Sequence, residues 1–398
     1  MAKAQCNLGF RHKGRQYATV DTATPAISVL MPVCDAGRFL VPALESVLAQ
    51  TFSDFELIVI DDGSDDDSAA VLAEFAAHDR RIRVHTQEHR GTVATLNRGL
   101  ALARAPIVAR MDVDNISRQD RFAKQIAHLR EHPAVAAVSG AMDVIDESGT
   151  YLRTDMFPTL PDAIKSELLY RSCVHHPAVM ARTHVLRAVG GYRRDAEYAE
   201  DHDLWLRISE ISEVANLPDV LLSYRLQSVK TSMRHRIARE LAVLAVRAAA
   251  RQRRLGRLDP LEACGGARLG YRALQLMFAG SVPRAEFALS FFYSVLADAS
   301  EVGSIGDWAH LYLRHGVWDL DRHGAAKMML LLGHVMRRRH QAGAPIRALA
   351  AYLLCAMATG IRHPAAAMHV ASHARYWWRA MRKRTTHSPH APGAARTA

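Results

Sequence analysis

The sequence predicts an α/β fold followed by an α-helical region, because three properties change along its 398 residues. The first half alternates short apolar, β-branched runs with longer amphipathic stretches, a pattern typical of a sheet with helices on both faces. After the run LLSYRL at 221–226, strand patterns nearly vanish and Ala/Leu/Arg-rich helical stretches replace them. Net charge changes at the same place, from −5 over residues 1–232 to +16 over residues 233–398. We therefore predict two parts that meet near residue 232.

The first part begins with four strands joined by helices, which predicts a parallel sheet. The predicted strands, in order, are 27–33, 55–60, 81–86 and 106–112. Ser64 or Asp65 is predicted to cap the helix after the second strand, with acidic residues in its first turn. Ligands bind beyond the carboxyl ends of such strands. Three of these ends carry polar or acidic loops: PVCDAG, DDGSDDD and DVDN.

Composition narrows the class of protein. Nearly half of the residues are hydrophobic, so the chain can bury a large core. The five cysteines are scattered and form no C-x-x-C pair, which argues against a disulfide framework or a zinc ribbon. The N-terminal stretch lacks an apolar secretory core, and no run reaches the roughly 18 apolar residues of a spanning helix. We therefore expect a cytoplasmic location.

Asp112 and Asp114 directly follow the fourth predicted strand, with one residue between them. Two carboxylates at a strand end can bind a divalent cation, and hard oxygen ligands favour Mg²⁺ or Mn²⁺. Such a cation would neutralise the charge on a nucleotide diphosphate leaving group. A pair of solvated loop aspartates is the alternative. The position after a strand in a βαβ array favours the metal site.

Asp61 and Asp62 follow the second strand and precede Gly63, which permits a tight turn. An aspartate here could accept hydrogen bonds from a nucleotide base or ribose. An ordinary acidic turn is the alternative. Asp65, Asp66 and Asp67 fit the start of a helix better than a ligand set.

Glu200 and Asp201 open a predicted helix, AEDHDLWLRISE. A carboxylate at a helix N-terminus is stabilised in its ionised form, which a general base requires. Simple helix capping is the alternative.

Two further segments offer polar side chains. His175 and His176 precede a predicted strand at 177–182, where His176 would contact an acceptor or pack with its neighbour. Tyr224 and Arg225 end the last strand, where the guanidinium would meet a diphosphate or remain on the surface.

Three stretches together resemble the family-two glycosyltransferases, which are inverting enzymes with the GT-A fold. The resemblance covers roughly residues 25–230, in the order and spacing of the family. The stretches are ISVLMPVCDAGRFLVPALESVLAQTFSDFELIVIDDGSDD, GTVATLNRGLALARAPIVARMDVDNISRQDRFAKQIAHL and CVHHPAVMARTHVLRAVGGYRRDAEYAEDHDLWLRI. It implies a GT-A mixed sheet flanked by helices.

The resemblance also implies residue roles. Pro32 and Val33 would line the nucleotide pocket, and Asp62, with Asp61, would contact the base. Asp112 and Asp114 would bind ribose and the metal–diphosphate, Asp114 more directly, beside Arg225. Asp201 would be the catalytic base, with Glu200 as the second candidate. Gly190, Gly191 and Tyr192 match a turn near the acceptor site, on the same side as His176.

Two departures from the family pattern shape the expected reaction. Gln227 stands where many members have a metal-binding histidine, so this residue or water would complete the metal site. The Gln-x-x-Arg-Trp motif of processive synthases is absent, which favours single-sugar transfer. The expected activity moves a sugar from a UDP-, GDP- or dTDP-sugar to a glycan or lipid-linked acceptor. A sugar nucleotidyltransferase and a non-catalytic nucleotide-binding scaffold are the alternatives.

The chain is predicted to divide into an N-terminal extension (1–24), a catalytic domain (25–232), a basic helical region (233–385) and a disordered tail (386–398). Trp377 and Trp378 lie among arginines in ARYWWRAMRKR. They fit a peripheral anchor on an anionic membrane at its inner face. A helical lobe packed against the catalytic domain is the alternative. No nucleic-acid partner is expected, because no recognised binding module accompanies the charge.

Overall fold

The computed structural model describes residues 24–226, 233–263, 269–279 and 311–320, with isolated positions between 284 and 361. Several sequence predictions fall on other residues. They concern the N-terminal extension up to residue 23, Gln227, the Trp377–Trp378 pair and the tail at 386–398. These lie outside the described residues and stay predictions.

The centre of the fold is a nine-stranded sheet with the order β3-β2-β1-β4-β8-β6-β9-β5 and β7 paired to β6. The strands are β1 (Ile27–Val33), β2 (Phe55–Asp61), β3 (Ile82–Thr86), β4 (Ile107–Arg110), β5 (Ile116–Ser117), β6 (Val135–Ile145), β7 (Tyr151–Asp155), β8 (Met180–Arg182) and β9 (Glu213–Arg225). Strands β1 to β4 are mutually parallel where they pair. Strand β8 lies antiparallel between β4 and β6. The sheet is therefore mixed, as the resemblance to the GT-A fold implied, and the parallel arrangement predicted for the first four strands is confirmed.

Helices cover both faces of the sheet. They are α1 (Leu40–Leu48), α2 (Ser68–His78), α3 (Thr92–Leu102), α4 (Arg121–Glu131), α5 (Pro161–Glu167), α6 (Thr183–Ala188), α7 (Glu200–Ile211), α8 (Met233–Arg254), α9 (Pro260–Ala263) and α10 (Tyr271–Phe278). Helical segments Tyr312–Gly316 and Val317–Asp319 follow. The prediction that Ser64 or Asp65 caps α2 is wrong, because the helix starts at Ser68. The Ser64 hydroxyl instead donates to Oδ1 of Asp61, at 2.7 Å.

Strand β1 shows how the sheet divides the core. Val29 and Met31 point to one face and pack with the apolar residues of α1 and α4. Leu30 points to the other face, where α3, α6 and α7 contribute. Because side chains alternate along a strand, one apolar run can supply both cores. This buried centre fixes the sheet edge at which the polar loops meet.

Helices α8 and α10 of the basic region belong to the core that α3, α6 and α7 form on one face of the sheet. Val246 of α8 and Leu274 of α10 are fully buried in the cluster that contains Trp205 of α7. The described helices α8 and α10 therefore form a lobe that packs with α7. The Trp377–Trp378 segment, on which the anchor and lobe interpretations differ, lies outside the described residues. No helix among the described residues has the length and apolar character needed to cross a bilayer.

A buried ionic network joins α7 to this lobe. Asp203 has no exposed side-chain surface, and it accepts hydrogen bonds from Arg193 and from Arg207 Nε at 2.8 Å. Arg193 also donates to Asp259 at 2.7 Å, and Asp259 accepts from Arg253. Arginine forks suit such multidentate contacts. The network links the segment before α7 to the end of α8.

Replacing Asp203 with alanine is expected to lower the free energy of unfolding by about 3–5 kcal/mol. The reason is that Arg193 and Arg207 would stay buried after losing their shared carboxylate. Urea unfolding followed by circular dichroism measures the change. Glu213→Gln, on an exposed residue of β9, is the control and should stay within about 0.5 kcal/mol of wild type. A loss below about 1 kcal/mol for Asp203→Ala would show that the network is not structural.

Candidate active site

The loop after β1 is held by the acidic loop after β2. The Gly37 N–H donates to Asp66 Oδ2 at 2.8 Å, and the Asp65 N–H donates to Asp35 Oδ1 at 2.8 Å. Gly37 and Asp35 have φ values of +51° and +48°, so the backbone turns sharply here. The acidic run after Asp62 thus joins the two loops at this edge of the sheet. It lies before α2 and not in the first turn of that helix, where the sequence analysis placed it.

Asp62 is bound on all sides by the loop that precedes α3. It accepts hydrogen bonds from Gln87 Nε2 at 2.6 Å and from the N–H groups of Arg90 and Gly91 at 2.8 and 2.9 Å. Burial alone would raise the pKa of Asp62, but these hydrogen bonds outweigh it and hold the pKa below its usual value. Both oxygens are therefore engaged by the chain. Asp61 differs, because within the described chain both hydrogen bonds to its carboxylate come from Ser64 and go to Oδ1.

Pro32 and Val33 end β1 just before these loops. Pro32 is half-buried, whereas the Val33 side chain is 1% exposed and packs in the core. The Val33 carbonyl accepts the Asp62 N–H at 2.8 Å. Any contribution of Val33 to a nucleotide site would come from its main chain.

The Asp112–Asp114 loop follows β4 and lines an open cleft of about 530 Å³. Residues 34–39, 112–114 and Tyr224 form its walls. Asp112 is ion-paired with Arg110, whose side chain is almost wholly buried. Asp114 is half-buried beside it. The two carboxylates that the sequence singled out thus share one cavity wall.

Arg225 fixes the main chain of this loop. Its Nε donates to the Asp114 carbonyl at 3.0 Å, and Nη1 donates to the Asp146 and Glu147 carbonyls at 3.1 and 3.0 Å. Its own N–H donates to Oδ1 of buried Asn115 at 2.9 Å. In this arrangement the guanidinium binds carbonyls, so its contacts support a positioning role more directly than diphosphate binding.

Glu200 and Asp201 begin α7, as the sequence predicted. Tyr198, just before them, has φ +76°, a value that is strained for a bulky residue and recurs at functional sites. Burial raises the pKa of Asp201, and burial followed by the Asp201 charge raises the pKa of Glu200. The nearby Arg110 guanidinium opposes both rises. The site therefore holds carboxyl groups that gain protons above the usual aspartate range.

Tyr224 connects the two acidic groups. Burial raises the pKa of its phenol, and Asp112, Asp114 and Asp201 each add to the rise. A charge acts on a neighbouring group only at limited range, so all three carboxylates lie near the Tyr224 side chain. The structure thus brings together residues that are about ninety positions apart in the sequence.

His176 and Tyr192 lie behind this group rather than on its surface. A 2.7 Å hydrogen bond joins His176 Nε2 to the Tyr192 hydroxyl, and both side chains are buried. Burial holds the pKa of His176 well below its usual value. Gly191 has φ +67°, and a Cβ there would lie 2.5 Å from Asn97 Oδ1, so no larger residue fits. Asn97 in turn bonds both main-chain polar groups of Tyr192, at 2.8 and 2.9 Å.

Comparisons with known proteins identify the family of the chain. The glycosyl transferase family 2 model matches residues 28–188. The O-antigen biosynthesis glycosyltransferase WbnJ of Escherichia coli is 32% identical over 209 residues, which are 52% of this chain and 81% of WbnJ. The chain belongs to glycosyl transferase family 2. The amylovoran biosynthesis glycosyltransferase AmsE of Erwinia amylovora is 34% identical over 184 residues, covering 46% of this chain and 68% of AmsE.

The fold has counterparts among solved structures. S. aureus TarS residues 1–349, in complex with UDP, gives a TM-score of 0.51 at 16% identity. That match covers 84% of this chain and 91% of the TarS chain, and the complex with UDP-GlcNAc gives the same values. The GT-A fold expected from the sequence is confirmed. The chain is a glycosyltransferase, so the non-catalytic scaffold and the nucleotidyltransferase are set aside.

Arg110 is a residue of this candidate site that the sequence analysis missed. It is the last residue of β4, and from the sequence it is only a single polar residue at the end of an apolar strand. Its guanidinium pairs with Asp112 and lies near Glu200, Asp201 and Tyr192. Buried Arg121 holds the Arg110 carbonyl at 2.8 Å and so fixes the strand end. An arginine immediately before the acidic loop was the available signal.

The acidic loop suits a divalent cation. Asp112 and Asp114 offer hard oxygen donors at an open cleft, and Mg²⁺ commonly takes one or two carboxylates with water and substrate phosphates. Within the described ranges, no three His, Cys, Asp or Glu side chains converge as a closed metal site. The residues present therefore fit a cation shared with a ligand better than a fully protein-bound one.

Proposed function

We propose that this enzyme transfers one sugar from a nucleotide-diphosphate sugar to an acceptor hydroxyl, with inversion and with help from Mg²⁺ or Mn²⁺. The observation that carries the proposal is the place of Tyr224, which lines the cleft of Asp112 and Asp114 and lies within range of the Asp201 charge. On this proposal, the reaction takes place where the donor cleft comes nearest to Asp201. The family 2 relatives named for O-antigen and amylovoran biosynthesis support a growing cell-surface glycan, free or lipid-linked, as acceptor.

On the donor side, the cleft walled by residues 34–39 and 112–114 would receive the nucleotide diphosphate. Asp112 and Asp114 would hold the cation, with Asp114 as the more direct ligand, as the resemblance to the family implies. When bound, the cation would neutralise charge on the departing diphosphate. Asp61 is better placed than Asp62 to contact the nucleoside, because the loop before α3 occupies both Asp62 oxygens. Pro32 would flank the base.

On the acceptor side, Asp201 would take the proton from the attacking hydroxyl. Burial raises the pKa of Asp201, so its ionised form is a stronger base than an ordinary aspartate. One base and one in-line displacement at the anomeric carbon invert its configuration. Glu200 would remain beside Asp201 as a second carboxylate. Tyr192, His176 and Gly191 would support this wall from behind.

Titration of the full-length protein with UDP, GDP, dTDP and ADP in the presence of Mn²⁺ tests the proposal. We expect one nucleoside diphosphate to bind at micromolar affinity, with affinity falling when chelator replaces the cation. The nucleoside monophosphates are the matched control, because they lack the second phosphate that the cation would bridge. Equal binding with and without divalent cation would contradict the metal-assisted part, and no binding of any diphosphate would contradict the donor class.

Attachment at the inner face of the membrane stays a prediction, because the segment that carries it lies outside the described residues.

A further inference from the structure

A second cavity, of about 540 Å³, lies between the start of α7 and the face of α8. We call it the α7–α8 cavity. Its walls include Tyr170, Arg171, Tyr198, Asp201, Arg239 and Arg247. Asp201, the proposed base, is therefore in its wall, whereas the cleft of Asp112 and Asp114 has a different lining. On the proposed function, this second cavity is where an acceptor approaches the base.

Helix α8 presents basic residues to the cavity at regular spacing. Arg239, Val243 and Arg247 are four residues apart, so they lie along one face of the helix. The two arginines are separated by about 12 Å along the helix axis. Both belong to the basic part of the chain, residues 233–398.

These two charges are compensated only in part, although the carboxylates of Glu240 and Asp201 line the same cavity. The one hydrogen bond that Arg247 makes to described residues runs from Nε to the Leu169 carbonyl, at 2.7 Å. Arg239 is exposed and forms no ion pair with a described carboxylate. Burial and the neighbouring charge of Arg251 lower the pKa of Arg247, and nearby Glu240 reverses this only in part. A partly buried guanidinium that lacks a full counter-charge favours an incoming anion.

From these contacts we infer that the α7–α8 cavity binds an acceptor glycan that carries an anionic group, either a phosphate ester or a sugar carboxylate. Arg247 and Arg239 bind the anion, and the hydroxyl to be glycosylated lies toward Asp201. The guanidinium fork matches both oxyanions with two parallel hydrogen bonds. This inference rests on the proposed function and adds the acceptor's chemical class to it.

Calorimetric titration of the full-length protein with three small probes tests the inference. The probes are methyl glucuronide, glucose 6-phosphate and neutral methyl glucoside. At least one anionic probe should bind about 10-fold or more tightly than methyl glucoside. Arg247→Gln and Arg239→Gln should each weaken that binding about 10-fold or more, and Arg247→Lys should weaken it less. Arg257→Gln removes an equal charge outside the cavity and is the matched control.

The two anionic probes identify the source of the anion. Tighter binding of methyl glucuronide indicates a sugar carboxylate, and tighter binding of glucose 6-phosphate indicates a phosphate ester. Equal binding of all three probes overturns the inference. The inference is also overturned if Arg247→Gln and Arg239→Gln unfold thermally like wild type and bind the tighter anionic probe as strongly as wild type does. Nucleoside diphosphates titrated into the same wild-type sample separate the two proposals. If a nucleoside diphosphate binds and the anionic sugars bind no more tightly than methyl glucoside, only the acceptor class is contradicted. If an anionic sugar binds more tightly and no nucleoside diphosphate binds, only the donor class is contradicted.

Discussion

Replacing Asp114 with alanine is expected to lower the rates of donor hydrolysis and sugar transfer by at least about 10²–10³-fold. The variant would lack a carboxylate that holds the cation, and the charge on the departing diphosphate would no longer be neutralised. The fold should survive, since Asp114 lies on a half-buried loop outside the core clusters. Release of nucleoside diphosphate from the donor measures the effect, with circular dichroism as the check on folding.

Asp65→Ala is the matched control for that variant. Asp65 is an exposed aspartate at the same sheet edge, and it donates through its main chain to Asp35. It should keep activity within a few-fold of wild type, because an exposed side chain away from the cleft contributes little. Full activity of Asp114→Ala, or of wild type in excess chelator, would contradict the metal-assisted mechanism.

Replacing Asp201 with asparagine is expected to lower transfer about 10²–10⁴-fold, because the amide has a similar shape but cannot accept the acceptor's proton. Nucleoside diphosphate affinity should change little, since Asp201 lies in the α7–α8 cavity and not in the donor cleft. Single-turnover transfer and calorimetry on one sample measure both quantities. Collapse of donor binding with normal turnover of bound donor would show that Asp201 is misassigned, and Glu200 would then be tested.

The pH profile follows from the same carboxylate. Burial raises the pKa of Asp201, so the protonated, inactive form should appear at a higher pH than for an ordinary aspartate of pKa about 3.9. The wild-type rate should therefore fall as pH falls, with a midpoint above that value. Asp201→Asn should lose this acid limb along with its rate. A wild-type rate that stays constant down to pH 4 would argue against a buried carboxylate base.

Local patterns predicted much of the first half of the chain. Strands β1, β2 and β4 and the loops that follow them could be recognised because buried parallel strands form continuous apolar runs. Antiparallel β8 between β4 and β6 could not be placed, since its pairing depends on contacts between distant parts of the chain. The start of α2 was misplaced for a related reason. Ser64 looks like a helix cap by type, but the fold directs its hydroxyl to Asp61.

The candidate site shows the same division. Acidic pairs at strand and helix ends are visible in sequence, and in the structure Asp112, Asp114 and Asp201 all lie within range of the Tyr224 side chain. The hydrogen bonds from the loop before α3 to the Asp62 carboxylate could not be predicted from the sequence, because Gln87 and Gly91 come close to Asp62 only in the folded chain. The arginine face of α8 was likewise invisible as a site, since it depends on how that helix packs on α7.

The most direct test of the central claim is the stereochemistry of donor hydrolysis by the full-length protein. An α-linked sugar of whichever nucleoside diphosphate binds would be incubated with Mn²⁺, and the released sugar followed by proton NMR before it equilibrates. Water then takes the place of the acceptor hydroxyl, and a single displacement assisted by Asp201 should release the β anomer first. Initial release of the α anomer, or no hydrolysis of any bound donor, would contradict the account.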